Sequence, residues 1–309
     1  MNKRSKKHAC ALAIAVIAII AASWWFWDRT ETIPTTSTGL LERFTDFDSE
    51  FVNPRTISVW LPAGYHTGDS CAVLYMHDGQ MLFDATTTWN GQEWQVDEIA
   101  GQLIGDSLMR RCIVVGIDNT DRRLQEYFPT KAWQQLPHDK QGEADTDKLL
   151  GDDYLKVIVT EVKPFIDKRY KPLTSREYTF MMGSSMGGLI SLYALCEYPQ
   201  VFGGVACLST HLSFKSVGDG VDGTLWSEAF CRYLSTHLPS ANSRLVYMDR
   251  GTEGIDASYA PHQQQVDSVF AAHGWDSEHY VSHVFDGHEH KEIFWAKRLE
   301  KPLLFLLGQ

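Results

Sequence analysis

A mostly parallel α/β sheet with helices on both faces is the architecture this chain predicts. Three observations carry it. Short apolar runs recur between turn signals, helix-like stretches alternate with them, and one run passes through Gly-x-Ser-x-Gly straight into a helix. The apolar runs are 56–61, 72–76, 112–117, 178–182, 204–208, 244–248 and 279–285, and the helix-like stretches are 94–108, 150–169, 189–198 and 259–273. No repeat of 20–50 residues appears, which excludes solenoids and propellers. With 44% hydrophobic and 22% charged residues in 309, the chain can bury a sizeable core. A body of about 270 residues suits one α/β domain.

The N-terminus is a separate unit. Lys3, Arg4, Lys6 and Lys7 (within 1–8) precede an uncharged run over 9–27, and Asp28-Arg29 close it. Nineteen helical residues rise about 28 Å, close to the hydrocarbon thickness of a bilayer. The cluster Trp24-Trp25-Phe26-Trp27 falls where an aromatic belt would sit. The expectation is one N-terminal transmembrane helix with its basic end cytoplasmic and the domain extracytoplasmic, in the periplasm. The competing reading is a signal peptide cleaved near Ala21-Ala22-Ser23, which would leave a secreted protein. Residues 28–39 read as a Thr/Pro linker, and ordered structure is expected over 40–309.

Formal net charge is −11; without residues 1–27, 24 basic residues face 39 acidic ones. So acidic a body argues against nucleic acid and anionic lipid as partners. Of six cysteines, Cys10 lies in the apolar run, and Cys71, Cys112, Cys196, Cys207 and Cys231 show neither metal spacing nor Cys-x-x-Cys. One disulfide at most is expected. The stretch 209–242 fits neither template and carries Gly218-Asp-Gly220 and Asp222-Gly223, so it reads as an insertion over the top of the sheet.

In open α/β sheets reacting groups collect at the carboxyl ends of strands. Run 178–182 leads into Gly183-Ser184-Ser185-Met186-Gly187-Gly188. A nucleophile elbow needs a serine on a sharp strand-to-helix turn with small neighbours, and Ser185 has both. Ser184, the rival serine, occupies the first variable position and should point back into the sheet. A serine hydroxyl needs a base near neutral pH, and histidine has the right pKa. His288 and His290 both sit on a loop after a late strand. His290 opens the closing helix with Ile293-Phe294-Trp295 and is the better fixed of the two. The pair could instead ligate a metal, but no matching carboxylate or thiolate cluster stands out, and neither metal nor cofactor is expected.

The third group must hold the imidazole tautomer. Run 244–248 leads into Asp249-Arg-Gly-Thr-Glu253-Gly-Ile-Asp256. Asp249 reads as a structural ion-pair residue at the strand end. Glu253 and Asp256 both lie on the loop where the acid belongs; Asp256 is preferred, and the choice stays open. An oxyanion needs two donors. The backbone N–H of Met186 is one by position, and the other should come from Gly79-Gln80, with Gln80 as donor. His77 and Asp78 are expected to scaffold that loop.

Four segments in order carry a family resemblance: Leu74-Tyr-Met-His-Asp-Gly-Gln-Met-Leu-Phe-Asp84; Val115-Gly-Ile-Asp-Asn119 with Arg123-Leu-Gln-Glu-Tyr-Phe-Pro129; Gly183-Ser-Ser-Met-Gly-Gly188; and His290-Lys-Glu-Ile-Phe-Trp295. Over about 40–307 the chain resembles the putative esterase (esterase D-like) family of α/β-hydrolases. That family includes feruloyl, acetylxylan and siderophore esterases, S-formylglutathione hydrolase and mycolyltransferases. The resemblance implies an α/β-hydrolase fold with Ser185 as nucleophile and, through the His-x-Glu-x-x-Trp ending, His290 as base. Family members often place the acid three residues after the glycine of Gly-Thr-x-Asp/Glu. Here that position is Gly254, so the acid stays open between Asp256 and Glu253. The function expected is a serine esterase acting through an acyl-enzyme on a small-molecule or glycan ester of carbohydrate, phenolic or siderophore type. An acyltransferase of the same fold, or a non-catalytic binding module on it, are the alternatives.

Overall fold

The computed structural model describes residues 33–137, 149–213 and 223–309. Its sheet runs in the order β1-β2-β4-β3-β5-β6-β7-β8. The strands are β1 (Leu40–Phe47), β2 (Arg55–Leu61), β3 (Ala72–His77), β4 (Cys112–Ile117), β5 (Thr179–Ser184), β6 (Gly204–Leu208), β7 (Leu245–Gly251) and β8 (Tyr280–Phe285). β1 and β2 pair antiparallel, β2 meets β4 antiparallel, and every other neighbouring pair is parallel. The expected α/β sheet is present, with strand ends moved. β5 runs two residues further than the apolar pattern, to Ser184, and β7 three further, to Gly251.

The membrane helix is corrected. No helix among the described residues is long and apolar enough to cross a membrane, and the run 9–27 lies outside them. Membrane attachment through an N-terminal helix therefore finds no support. Three further differences have local causes. β1 mixes apolar and charged residues and is nowhere fully buried, as befits an edge strand, and a bulge interrupts it between Phe44 and Phe47. The helical stretch 150–169 divides into α2 (Gly151–Val157), a π-helical segment Ile158–Val162 and α3 (Lys163–Tyr170). Pro164 has no N–H for the carbonyl four residues back and crowds it, so the ladder widens there. The expected insertion over 209–242 holds instead a helix, α5 (Gly223–His237), whose Trp226, Phe230, Tyr233 and Leu234 are buried. Its apolar spacing of three to four residues packs it against the helices over 130–133, 186–197 and 260–272. Gly218, Gly220 and Asp222 lie outside the described residues.

Period-two alternation sorts the core. Val73 and Tyr75 of β3 face α2, α3, α4 (Met186–Glu197), α5 and α6 (Ala260–Ala272), whereas Ala72, Leu74 and Met76 face α1 (Val96–Gly105) and α8 (Glu300–Leu307). Covered on both sides, α4 buries eleven of its twelve residues, so it has no polar stripe and reads as one apolar run. Residues Thr35–Gln309 form one compact unit. Its start is pinned: the Ser37 N–H and hydroxyl and the Thr38 N–H donate to Asp97 Oδ2 at 2.7, 2.9 and 3.2 Å. From β3 the chain moves to β4 on one side and then to β5 on the other. That reversal opens a crevice at the carboxyl ends of β3 and β5.

Candidate active site

Ser185 stands in that crevice, between the last residue of β5 and the first of α4, at φ 57 and ψ −122. A non-glycine residue there is strained, and its neighbours hold it. Its N–H donates to Leu208 O at 2.9 Å, and its carbonyl accepts from the N–H groups of Leu189 and His211, each at 3.1 Å. The flanking glycines are required by contact. A Cβ on Gly183 would lie 2.7 Å from the Gly187 carbonyl carbon, and one on Gly187 would lie 3.2 Å from His77 Cβ. Ser184 is buried at the end of β5 and is also among the residues that line the cavity beside Ser185.

Ser185 and His290 line one cavity of about 480 Å³, together with Asp78, Trp89, Asn119, Arg123 and Trp295 among others. The imidazole of His290 meets the rings of Trp295 and Tyr259 edge-on, at 5.0 and 5.8 Å. Its Nδ1 lies 2.6 Å from Asp256 Oδ1. With Nδ1 committed to a carboxylate, Nε2 is the nitrogen left for other partners. Asp256 is fully buried and also accepts from Ser209 Oγ (2.5 Å) and the Gly251 N–H (2.8 Å). Burial opposes its charge, but these three donors hold its carboxyl below the usual carboxylate range. Glu253 is exposed, and its backbone N–H donates to the His288 carbonyl at 3.0 Å. The structure thus brings Asp256, and not Glu253, to the imidazole. His288 is turned elsewhere: its ring lies near Phe285 and Phe294, and its Nδ1 accepts from Arg298 Nη1 at 3.3 Å.

The expected backbone donors stand on adjoining segments. The Met186 N–H opens α4, where the first N–H groups have no intrahelical acceptor. Gln80 lies in the short turn Gly79–Met81, and its side-chain Oε1 accepts from the Asn119 N–H at 3.1 Å. From this loop Asp78 and Met81 line the cavity. Asp78 accepts from Arg123 Nε and Nη2 at 2.7 and 2.8 Å and from Asn119 Nδ2 at 2.6 Å. Burial pushes this carboxyl up, but Arg123 and Asn119 outweigh it and hold it low. His77 donates or accepts at Tyr154 OH (2.8 Å), and burial lowers its pKa to about 3, so it is neutral. Both residues brace the loop, as expected.

Sequence reasoning passed over a second group. Ser209 follows the last residue of β6, Trp295 lies in α7 (Glu292–Ala296), and Arg298 in the turn between α7 and α8. All three are buried behind Asp256. The strand-end rule that singled out Ser185 would have flagged Ser209 had it been applied to β6 as well.

The model of the family described as "Putative esterase" matches residues 49–306. The Bacillus subtilis (strain 168) protein named "Uncharacterized protein YbbA" is 22% identical over 263 residues, 82% of this chain and 93% of that one. The enterobactin esterase of Shigella flexneri superposes with a TM-score of 0.63 at 19% identity, covering 88% of this chain but 60% of that one. This chain therefore spans about three-fifths of that enzyme's length. A ferulic acid esterase superposes with a TM-score of 0.63 at 17% identity, covering 88% of this chain and 99% of that one. The two superpositions speak for the fold; the family match covers most of the chain. The chain belongs to the "Putative esterase" family and is a carboxylic ester hydrolase.

Proposed function

We propose that Ser185, His290 and Asp256 form the triad of a serine esterase that works through an acyl-enzyme. One observation carries this reading: the elbow serine and a carboxylate-bound imidazole line the same cavity. In this mechanism His290 Nε2 takes the hydroxyl proton as Ser185 Oγ attacks the ester carbonyl, and Asp256 stabilises the imidazolium. The N–H of Met186, with that of Gln80 across the crevice, receives the oxyanion, aided by the N-terminus of α4. The imidazolium returns its proton to the leaving alcohol, and water activated by the same ring releases the acid.

The substrate class is a phenolic or siderophore ester, or an ester on a carbohydrate. Indole walls at Trp89, Trp94 and Trp295 suit a planar ring, and the names of the similar proteins speak of enterobactin and ferulic acid. The test is hydrolysis of p-nitrophenyl acetate by the full chain. Ser185→Ala should lower kcat by roughly three orders of magnitude or more with the fold intact, and Ser184→Ala far less. Equal turnover by Ser185→Ala and wild type would end the serine mechanism.

A further inference from the structure

The hydroxyl of Ser209 has no freedom left. Arg298 Nη2 donates to its Oγ at 2.7 Å and Trp295 Nε1 at 3.0 Å. A guanidinium and an indole N–H can only donate, so both lone pairs of the hydroxyl are occupied. Its one proton therefore goes to Asp256 Oδ2, 2.5 Å away. The donors are themselves fixed. Asp249 grips Arg298 through Oδ2 to Nε (3.1 Å) and Oδ1 to Nη2 (2.9 Å), with both side chains buried. Asp249 also accepts the Ser209 N–H through its Oδ1 at 3.1 Å and its carbonyl at 2.9 Å, which holds Ser209 at φ 43. Trp295 completes the loop, because it walls the cavity and packs edge-on against His290.

We propose that Ser209, with its hydroxyl oriented by Arg298 and Trp295, is a positioning residue that sets which way the Asp256 carboxylate faces. Its obligate hydrogen bond joins that of the Gly251 N–H (2.8 Å) at Oδ2 and leaves Oδ1 in line with His290 Nδ1. Without it a single backbone N–H holds Oδ2, the carboxylate gains freedom to turn about its Cβ–Cγ bond, and the imidazole tautomer and tilt are held less tightly. This inference rests on the triad reading above. Ser209 does not line the cavity, so its removal should touch kcat and spare KM.

The experiment is a double-mutant cycle on p-nitrophenyl acetate with the full chain, each variant checked by thermal unfolding. Ser209→Ala should lower kcat about 10- to 100-fold with KM within about twofold. In an Asp256→Ala background the same substitution should lower kcat no further, because a residue acting through Asp256 has nothing left to position. Unchanged kcat in folded Ser209→Ala, or the same fold-loss in both backgrounds, would overturn the proposal and leave Ser209 a purely structural link. Should Ser209→Ala fail to fold, Ser209→Cys keeps the packing with a weaker donor, and the same comparison decides. An undiminished kcat in Asp256→Ala alone would instead bring down the triad, and this inference with it.

Discussion

Two buried carboxylates flank the crevice, and their surroundings differ in one respect. Asp78 on the β3 side and Asp256 beyond β7 are both held ionised against burial by close donors. The partner of Asp78 is Arg123, a guanidinium that keeps its proton at any pH the protein meets. The partner of Asp256 is His290, a ring that can take a proton and return it. The first pair locks a loop; the second holds a ring that lines the same cavity as Ser185 and that, in the mechanism proposed above, carries the proton. Asp249 with Arg298 repeats the locked arrangement behind Asp256. A buried charge beside a cavity is thus no sign of chemistry until its partner is known to titrate.

The largest effect that would break this contrast is kinetic. His290→Ala should match Ser185→Ala, at roughly three orders of magnitude or more in kcat, and the double variant should be no worse. Asp78→Ala should cost at most about a hundredfold, through displacement of the loop beside Gly187. A folded Asp78→Ala with kcat below that of His290→Ala would move the chemistry to the β3 side.

Stability should show the reverse order. Arg123→Ala leaves Asp78 buried without its cation and should cost about 2 kcal/mol, less than for a fully buried pair because the guanidinium is partly exposed. His290→Ala, on the cavity wall, should stay within about 1 kcal/mol. Denaturant unfolding of the two variants measures both, and equal losses would blur the distinction.

Acid titration sharpens it. Both carboxyls sit below their ordinary range in the folded state, so their contribution is fully present above about pH 4 and is lost as pH falls through the folded values. Unfolding free energy should decline in that window, and Arg123→Ala should flatten the decline more than His290→Ala.

The smallest effect comes from a carboxylate with no cation beside it among the described residues. Burial and the neighbouring Glu98 push Glu93 up to about 7, and its Oε2 is buried without a partner. The sign is opposite to that of Asp78. The folded state holds the proton that the unfolded state releases above about pH 4.3, so stability declines as pH rises from there through about 7. Glu93→Gln should remove that decline and raise the midpoint of thermal unfolding slightly at pH 8. No gain at pH 8 relative to pH 5 would mean Glu93 finds a counter-charge in solution.

What the sequence determined by itself is what local geometry enforces. The elbow lies within ten residues, and the contact that demands Gly183 is made with Gly187 four residues on, so strand, serine and helix could be read in line, although Gly187 itself is pressed by His77 from β3. His290 was legible for the same reason, as the residue that enters the closing helix. Which of Asp256, the preferred acid, and Glu253 meets the imidazole was left open by the sequence and appears only in the tertiary structure. The two acids are three residues apart on one loop, and the turn Gly254–Tyr259, entered through Gly254 at φ 58, sends one inward and leaves the other in solvent. Ser209 and Arg298 were beyond reach for a different reason. They meet Asp256 or each other across 47 and 89 residues of chain, and only the parallel order of β6 and β7 beneath the closing helices brings them together. A hydroxyl with every lone pair spoken for is a property of three-dimensional contact, and no run of neighbouring residues encodes it.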